Sequence, residues 1–269
     1  MIINGLPGSA IHANDRGLVY GDGVFRTLLI RQGKPIHWQQ HYNKLVHDCH
    51  AIGIVCPSFQ LLTLELQQLA ESQPEAIAKI VITRGPATRG YAPLAKPLIS
   101  RILSASTLPE YPDSYATEGI QVHICKLHLG HQPRLAGIKH LNRLENVLAA
   151  AEWDDPKIAE GIILDEDENI IEGTRSNLFL VRDGKLYTPD LSKCGVAGLQ
   201  RDRVIEYAKQ QRMVCKVTEL EMDDLLAADE IFVVNSVIGL WPVRDIHRFS
   251  SKHFPVSLQI QDWLKNGSN

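Results

Sequence analysis

The sequence contains no C-x-x-C pair, and its five cysteines, Cys49, Cys56, Cys125, Cys194 and Cys215, are odd in number and far apart. Nothing there clips a metal or runs thiol exchange, so reduced, structural thiols in a cytoplasmic protein are the expectation. An excess of one charge is also missing. The 28 Lys plus Arg stand against 31 Asp plus Glu, a net charge of -3, so no basic field draws nucleic acid or an anionic membrane. No stretch approaches the roughly 20 apolar residues that cross a bilayer, and no basic start leads into a long apolar run. A soluble, unexported protein with neither nucleic-acid nor membrane partner is predicted. Internal repeats, low-complexity tracts and long charged blocks are absent as well. The eleven histidines group at His47/His50 and at His123/His128/His131, but no further ligands can be placed beside them, and no metal is expected.

What the chain does have is length and apolar content: 269 residues, 44% hydrophobic, enough for one large or two modest domains. The composition breaks at Pro109-Glu-Tyr-Pro112-Asp-Ser-Tyr115, where two prolines deny ladder donors between apolar, β-branched stretches. This reads as a linker over 109–115, between a small α+β domain over 1–108 and a larger, strand-rich domain with external helices over 116–269. The fold class is thus α/β in the α+β sense. Strands are predicted over 24–30, 79–83 and 101–106, and helices over 38–52 and 59–71. Beyond the linker the pattern gives a strand over 120–125 and a helix over 140–153. Two hairpins follow, 161–164 with 170–171 and 177–181 with 185–187. A helix over 200–211, strands over 214–218 and 230–234 and a closing helix over 256–265 complete the reading.

Four blocks carry candidate chemistry. In Ala136-Gly-Ile-Lys139-His-Leu-Asn-Arg143-Leu-Glu145, a strand-like approach delivers Lys139 to the start of an amphipathic stretch. Partial desolvation there would make its amine nucleophilic toward a carbonyl, while the bland alternative is a solvated surface lysine. In Ile171-Glu172-Gly-Thr174-Arg175-Ser176-Asn177, Glu172 occupies a turn or strand end, where it either enters a cleft or faces solvent. Gly195-Val-Ala-Gly198-Leu199-Gln200-Arg201 leads into a helix whose first N–H groups suit an anion, or is an ordinary junction. It lacks the Lys-Ser/Thr of a nucleotide-binding loop. Tyr20-Gly-Asp-Gly23-Val-Phe25-Arg-Thr27 has no third glycine and precedes a strand, which argues against a dinucleotide fingerprint.

Taken in order, from Tyr20 to Val243, these blocks resemble the fold-type IV pyridoxal-phosphate enzymes: branched-chain aminotransferases, D-amino acid aminotransferases and aminodeoxychorismate lyases. Within that group Arg134-Leu-Ala-Gly-Ile-Lys139-His-Leu-Asn-Arg-Leu-Glu-Asn-Val-Leu148 and Thr83-Arg84-Gly-Pro-Ala-Thr-Arg89-Gly-Tyr91 look most like the lyases. The resemblance implies pyridoxal 5'-phosphate as cofactor, Lys139 as the amine that condenses with its aldehyde and Glu172 as partner of its pyridine nitrogen. It implies phosphate binding by main-chain N–H groups of Leu199 and Gln200 and by the Asn235-Ser236-Val237 turn. Lys44 stands where the family has an arginine in an H-x-x-R-L segment, keeping the charge and losing the bidentate fork. Gln200 stands where the family has a threonine, which removes a hydroxyl.

By position, Phe25 and Thr27 match residues on the substrate side of the cofactor, and as neighbours two apart on a strand they share a face. Arg89 and Tyr91 match a loop that contacts substrate carboxylates. The implied activity is conversion of aminodeoxychorismate, a small molecule with two carboxylates, to p-aminobenzoate and pyruvate, with Lys139, Glu172 and Thr27 as catalytic groups in a homodimer. An aminotransferase using the same Lys139 and Glu172 is the nearest alternative. A cofactor-free binding protein on the same scaffold is the alternative from another class.

Overall fold

The computed structural model describes residues 1–267. The chain forms two compact units, the first Met1–Pro109 with Ile138–Asn142 and the second Glu110–Gly137 with the chain from Arg143 onward. The division by composition assigned 138–142 to the second part, whereas these residues group with the first. Its second part also ran to residue 269, and the last two residues lie outside the described ones. The stretch expected to link the domains is packed rather than loose: Tyr111 and Tyr115 set their rings edge-on against Trp241, with centroids 4.8 and 5.1 Å away.

The first unit is built on one antiparallel sheet. In chain order its elements are β1 (Ile2–Ile3), β2 (Leu6–Pro7), α1 (Arg16–Tyr20), β3 (Gly23–Arg31), β4 (Lys34–Pro35), α2 (Trp38–Ala51), α3 (Phe59–Ser72), β5 (Ala76–Thr83) and β6 (Ser100–Ser106). The sheet order is β2-β1-β6-β5-β3-β4. Alternation in β3 buries Val24, Arg26, Leu28 and Ile30, leaving Phe25, Thr27 and Leu29 half-buried on the other face. The buried face meets Leu45 and Cys49 of α2 and Leu62, Leu66 and Leu69 of α3 in one core. Both helices follow the apolar spacing of the sequence, and the Ser58 hydroxyl caps α3 by accepting the Leu61 N–H.

The second unit comprises α4 (Ser114–Thr117), β7 (Ile120–Leu129), α5 (Leu144–Ala150), β8 (Ile158–Asp165), β9 (Ile170–Gly173), β10 (Asn177–Arg182), β11 (Lys185–Pro189), α6 (Leu199–Gln210), β12 (Cys215–Thr218), α7 (Met222–Leu226), β13 (Glu230–Asn235), β14 (Gly239–Ile246), β15 (Phe249–Ser250) and α8 (Pro255–Asn266). Its sheet runs β12-β11-β10-β13-β14-β7-β8-β9, with β15 beside β14. The expected hairpins are present, and Asp183 and Gly184, both at positive φ, close the β10–β11 turn. The central residues of β10, Leu178 to Val181, and of β13, Ile231 to Val234, are all apolar because both faces are covered. Leu178, Leu180, Ile231 and Val233 enter one core, while Phe179, Val181, Phe232 and Val234 pack on the other side against Val204 and Tyr207 of α6 and Ile260 and Leu264 of α8. The paired Phe179 and Phe232 stack their rings at 5.1 Å.

Among the described residues, no helix is long and apolar enough to cross a membrane. Helix α8 is fastened at its start by a buried carboxylate from β13. Glu230 accepts the N–H groups of Val256 at 2.9 Å and Ser257 at 2.8 Å, and the Ser257 hydroxyl at 2.7 Å. Glu230→Ala leaves two buried donors and one half-buried donor unmet and is expected to lower the unfolding free energy by about 2–4 kcal/mol in urea denaturation, while a surface variant such as Glu206→Ala stays within about 0.5 kcal/mol.

Candidate functional site

Lys139 is not at a helix start. The helix expected over 140–153 begins only at Leu144, because residues 138–142 pair instead with the open edge of β3. The Phe25 N–H donates to the Lys139 carbonyl at 2.9 Å, the Leu141 N–H donates to the Gly23 carbonyl at 3.0 Å, and His140 bridges Val24. Ile138 is buried in the first unit's core, and Gly137, at φ +76°, makes the turn that precedes it. The Lys139 Nζ lies 4.6 Å from the centroid of the Phe25 ring.

Phe25 and Thr27 share a face, as their spacing requires. Lys79, which none of the four sequence blocks contains, stands opposite Thr27 in register, its Nζ 4.7 Å from the same Phe25 ring. Its signal was available: it is the one charged residue in the alternating β5 sequence. Arg26 and Asp48 were passed over too. They form a buried ion pair between β3 and α2, and Asp48 Oδ2 also accepts the Lys139 N–H at 3.2 Å. Lys44 lies half-buried on α2, four residues before Asp48 and three after the buried His41, so the three share one helix face.

Arg89 and Tyr91 occupy a solvent-facing loop in which Tyr91 is 84% exposed. No hydrogen bond or ring contact among the described residues joins them to Phe25 or Thr27. Their loop is held from beneath by Arg16, which donates to the carbonyls of Gly90 at 2.9 Å and Tyr91 at 2.7 Å. Asp22 orients that guanidinium through its Nε at 2.7 Å and takes Arg84 Nε at 2.8 Å.

In the second unit Glu172 is buried in β9, 3% exposed, rather than at a solvent-facing turn. Its Oε2 accepts the Val196 N–H at 2.8 Å. The turn that follows is tethered by buried Glu160, which accepts the hydroxyls of Thr174 at 2.5 Å and Ser176 at 2.9 Å. Gly195, at φ +82°, is obligatory: a Cβ there would come within 2.7 Å of Ile171 and 2.8 Å of Leu191. Asn177, also unanticipated, shapes the same loop by accepting the Gly198 N–H at 3.0 Å and donating to the Val196 carbonyl at 2.7 Å.

Helix α6 then starts at Leu199, with no side-chain cap on its first N–H groups. The Gln200 side chain is turned to Arg203, whose Nη1 it accepts at 2.9 Å. At the other expected anion contact, Asn235 Oδ1 takes the N–H groups of Val237 at 2.8 Å and Ile238 at 2.9 Å. Val237 thus spends its donor inside the turn, and Ser236 is the residue left to offer one.

The histidine groups separate. His47 and His50 are exposed, whereas His131, Asp165 and Cys194 bring potential ligand atoms within 4.8 Å of one another. Asp165 is already occupied: it accepts His131 Nε2 at 2.9 Å and the N–H groups of Asp167 at 3.1 Å and Asn169 at 2.8 Å. Burial pushes the Cys194 thiol up to about 12, with the carboxylates of Asp165 and Glu172 adding to it.

The first unit offers a lysine amine, and the second offers a buried carboxylate bonded to main-chain N–H and an uncapped helix start; these are the kinds of donor that pyridoxal phosphate requires for its aldehyde, ring nitrogen and phosphate. The residues fit the group, and the fold is that of the fold-type IV pyridoxal-phosphate enzymes. The chain belongs to the class IV aminotransferase family, whose model matches residues 23–246. It is 35% identical over 257 residues to an aminodeoxychorismate lyase of Vibrio harveyi, covering 94% of each chain. It is 29% identical over 237 residues to a putative branched-chain-amino-acid aminotransferase of Methanocaldococcus jannaschii, covering 86% of this chain and 81% of that one. The crystal structure of 4-amino-4-deoxychorismate lyase from Pseudomonas aeruginosa superposes with a TM-score of 0.94 at 40% identity, covering 98% of this chain and 97% of that one.

Asp22 gives the site region a pH signature. Burial pushes its carboxyl up, but hydrogen bonds from Arg84 and Arg16 outweigh that and hold it below the usual carboxylate range. A depressed folded value stabilises the protein above the unfolded value and is lost as pH falls through the folded one. Asp22→Asn is expected to lower the unfolding free energy by about 1–3 kcal/mol at neutral pH and to flatten its decline below about pH 4, in urea titrations across pH.

Proposed function

We propose that this chain is a pyridoxal-phosphate-dependent lyase that converts 4-amino-4-deoxychorismate to p-aminobenzoate and pyruvate. The observation that carries the reading is the near full-length likeness to two lyases, greater in identity and in coverage than that to the aminotransferase. The cofactor supplies an electron sink for the carbon that bears the amine. Lys139 is the residue that binds its aldehyde, and Glu172 is the carboxylate that keeps its ring nitrogen protonated. The N–H groups of Leu199, Gln200 and Ser236 and the Lys44 ammonium are the phosphate donors, with Asn235 shaping the turn and Val237 closing it.

The Lys139 amine would also be the base that takes the proton from the amine-bearing carbon. Departure of the enolpyruvyl group from the neighbouring carbon then aromatises the ring, and Thr27 or Lys139 protonates the leaving enol. Phe25 and Thr27 line the substrate, and Arg89 and Tyr91 meet its carboxylates, for which a guanidinium has the matching fork. The enzyme acts in the cytoplasm as a homodimer on this small molecule, without nucleic-acid or membrane partners. Support for the dimer comes from α5, where Leu144, Val147 and Leu148 are 68%, 61% and 52% exposed.

Incubation with aminodeoxychorismate is expected to release p-aminobenzoate and pyruvate together with no keto-acid acceptor. A requirement for that acceptor, with ordinary amino acids converted and aminodeoxychorismate untouched, would establish the aminotransferase instead. Borohydride should fix the cofactor on Lys139, as mass spectrometry of the digest would locate. Glu172→Gln should keep the cofactor yet slow turnover by about ten- to a thousandfold, because an amide cannot hold the ring nitrogen protonated as a carboxylate does. Lys44→Ala should weaken cofactor retention and Lys44→Arg preserve it, measured by equilibrium dialysis.

A further inference from the structure

The buried pair of Arg26 and Asp48 has no part in the chemistry above, although it touches the residue on which that chemistry turns. Asp48 is fully buried and Arg26 is 2% exposed. Arg26 lies on β3 at a position whose neighbours in phase, Val24, Leu28 and Ile30, are aliphatic and fully buried. Replacing a buried ion pair by apolar residues of similar volume is often neutral or stabilising. Its placement therefore calls for another reason.

That reason is visible at Asp48 Oδ2, the oxygen that takes the Arg26 guanidinium and also accepts the Lys139 N–H at 3.2 Å. On its other side the Lys139 residue is held by its carbonyl, which accepts the Phe25 N–H at 2.9 Å. Strand pairing with β3 satisfies the carbonyl of Lys139, and the Asp48 side chain satisfies its N–H. Arg26 comes from β3 and Asp48 from α2, so the contact ties the lysine's main chain to two elements at once. Near the carboxylate too are the exposed His47, whose Nδ1 is 3.4 Å from Oδ1, and the buried Cys49, whose thiol feels its charge.

We propose that Asp48, held by Arg26, is a positioning residue for Lys139: it fixes the peptide N–H of that lysine, and with it the direction in which the side chain leaves the backbone. The Lys139 amine sits at the end of a flexible four-carbon stem, so its aim is set by the Cα–Cβ direction and by the surface the amine meets, here the Phe25 ring, whose centroid is 4.6 Å from Nζ. Asp48 controls the first of these and β3 supplies the second. The proposal rests on Lys139 being the cofactor-binding amine.

Three variants separate positioning from support of the fold. Arg26→Met with Asp48→Leu replaces the pair by apolar residues and strands no buried charge. Asp48→Asn keeps an oxygen that can accept the Lys139 N–H. Asp48→Ala, studied at temperatures where it is folded, gives the same reading as the double variant should the latter not fold. Two quantities are read on each full-length protein: hydrogen exchange of the Lys139 amide, and the rate constant for uptake of added pyridoxal phosphate onto Lys139, trapped by borohydride and located by mass spectrometry.

The double variant is expected to melt close to wild type, to exchange the Lys139 amide at least about tenfold faster and to take up the cofactor at least about tenfold more slowly, with Asp48→Asn within about threefold of wild type on both. A double variant that melts like wild type and shows unchanged exchange and uptake overturns the proposal. Faster exchange without slower uptake overturns it as well, since the bond would then hold the backbone without aiming the amine. Wild-type protein that takes the cofactor on another lysine would instead overturn the functional reading, and the amide exchange would still report whether Asp48 holds the Lys139 backbone.

Discussion

The main-chain exchange between residues 138–142 and the Gly23–Phe25 end of β3 is the interaction on which the rest of the first unit's chemistry depends. A lysine side chain has too many rotatable bonds to be directed by its own contacts alone, so a protein that needs its amine in one place must first fix the backbone beneath it. Here the segment joins the sheet by its edge, which also removes an unpaired strand edge that would otherwise face solvent or another chain. The same pairing puts Lys139 beside Phe25, so the strand that anchors the lysine also provides the ring under its amine. Gly23 must be small for this to work, because a Cβ there would meet the β5 carbonyl of Ile82 at 2.5 Å and the Leu141 side chain at 2.8 Å.

In the second unit close packing replaces strand pairing as the organising device. Glu172 is buried in β9, and its Oε2 accepts the Val196 N–H of a loop shaped by glycine at 195 and by the two-sided grip of Asn177. Glu160 does for the following turn what Asn177 does for the preceding loop. Both are buried polar residues engaged within the fold, Glu160 with two hydroxyls and the Arg175 guanidinium and Asn177 with main-chain groups, and the first turn of α6 carries no side-chain cap and so is open to an anion.

Much of this was legible in the sequence. The helices α2, α3, α6 and α8 follow from apolar spacing, and the two hairpins follow from turn residues between β-branched runs. The lysine block was legible as a motif but not as a structure. Its run of Leu141, Leu144, Val147 and Leu148 has helical spacing, yet Leu141 belongs to a strand-like segment, and Leu144, Val147 and Leu148 are exposed on the short helix that follows. Periodicity reports that apolar residues recur and not which surface receives them. Arg26 and Asp48 escaped for the opposite reason, since each is a charged residue whose importance comes from a neighbour distant in sequence. The commitment of the Val237 donor to Asn235 was equally invisible, being a property of turn geometry.

The chain enters the first unit twice, once from its start to Pro109 and again for the five residues Ile138–Asn142. Neither unit is therefore a contiguous gene segment. A fragment cut after Pro109 would lack the strand-like edge that carries the lysine, and the remainder would carry that edge with no sheet to receive it. The two units cannot be exchanged between relatives by a single crossover at the proline-rich junction without separating Lys139 from the β3 and α2 residues that hold it. Recombination can preserve such an arrangement only by carrying residues 138–142 along with the first unit, so β3, α2 and the lysine segment are inherited as one piece although a quarter-turn of reading along the sequence would never group them.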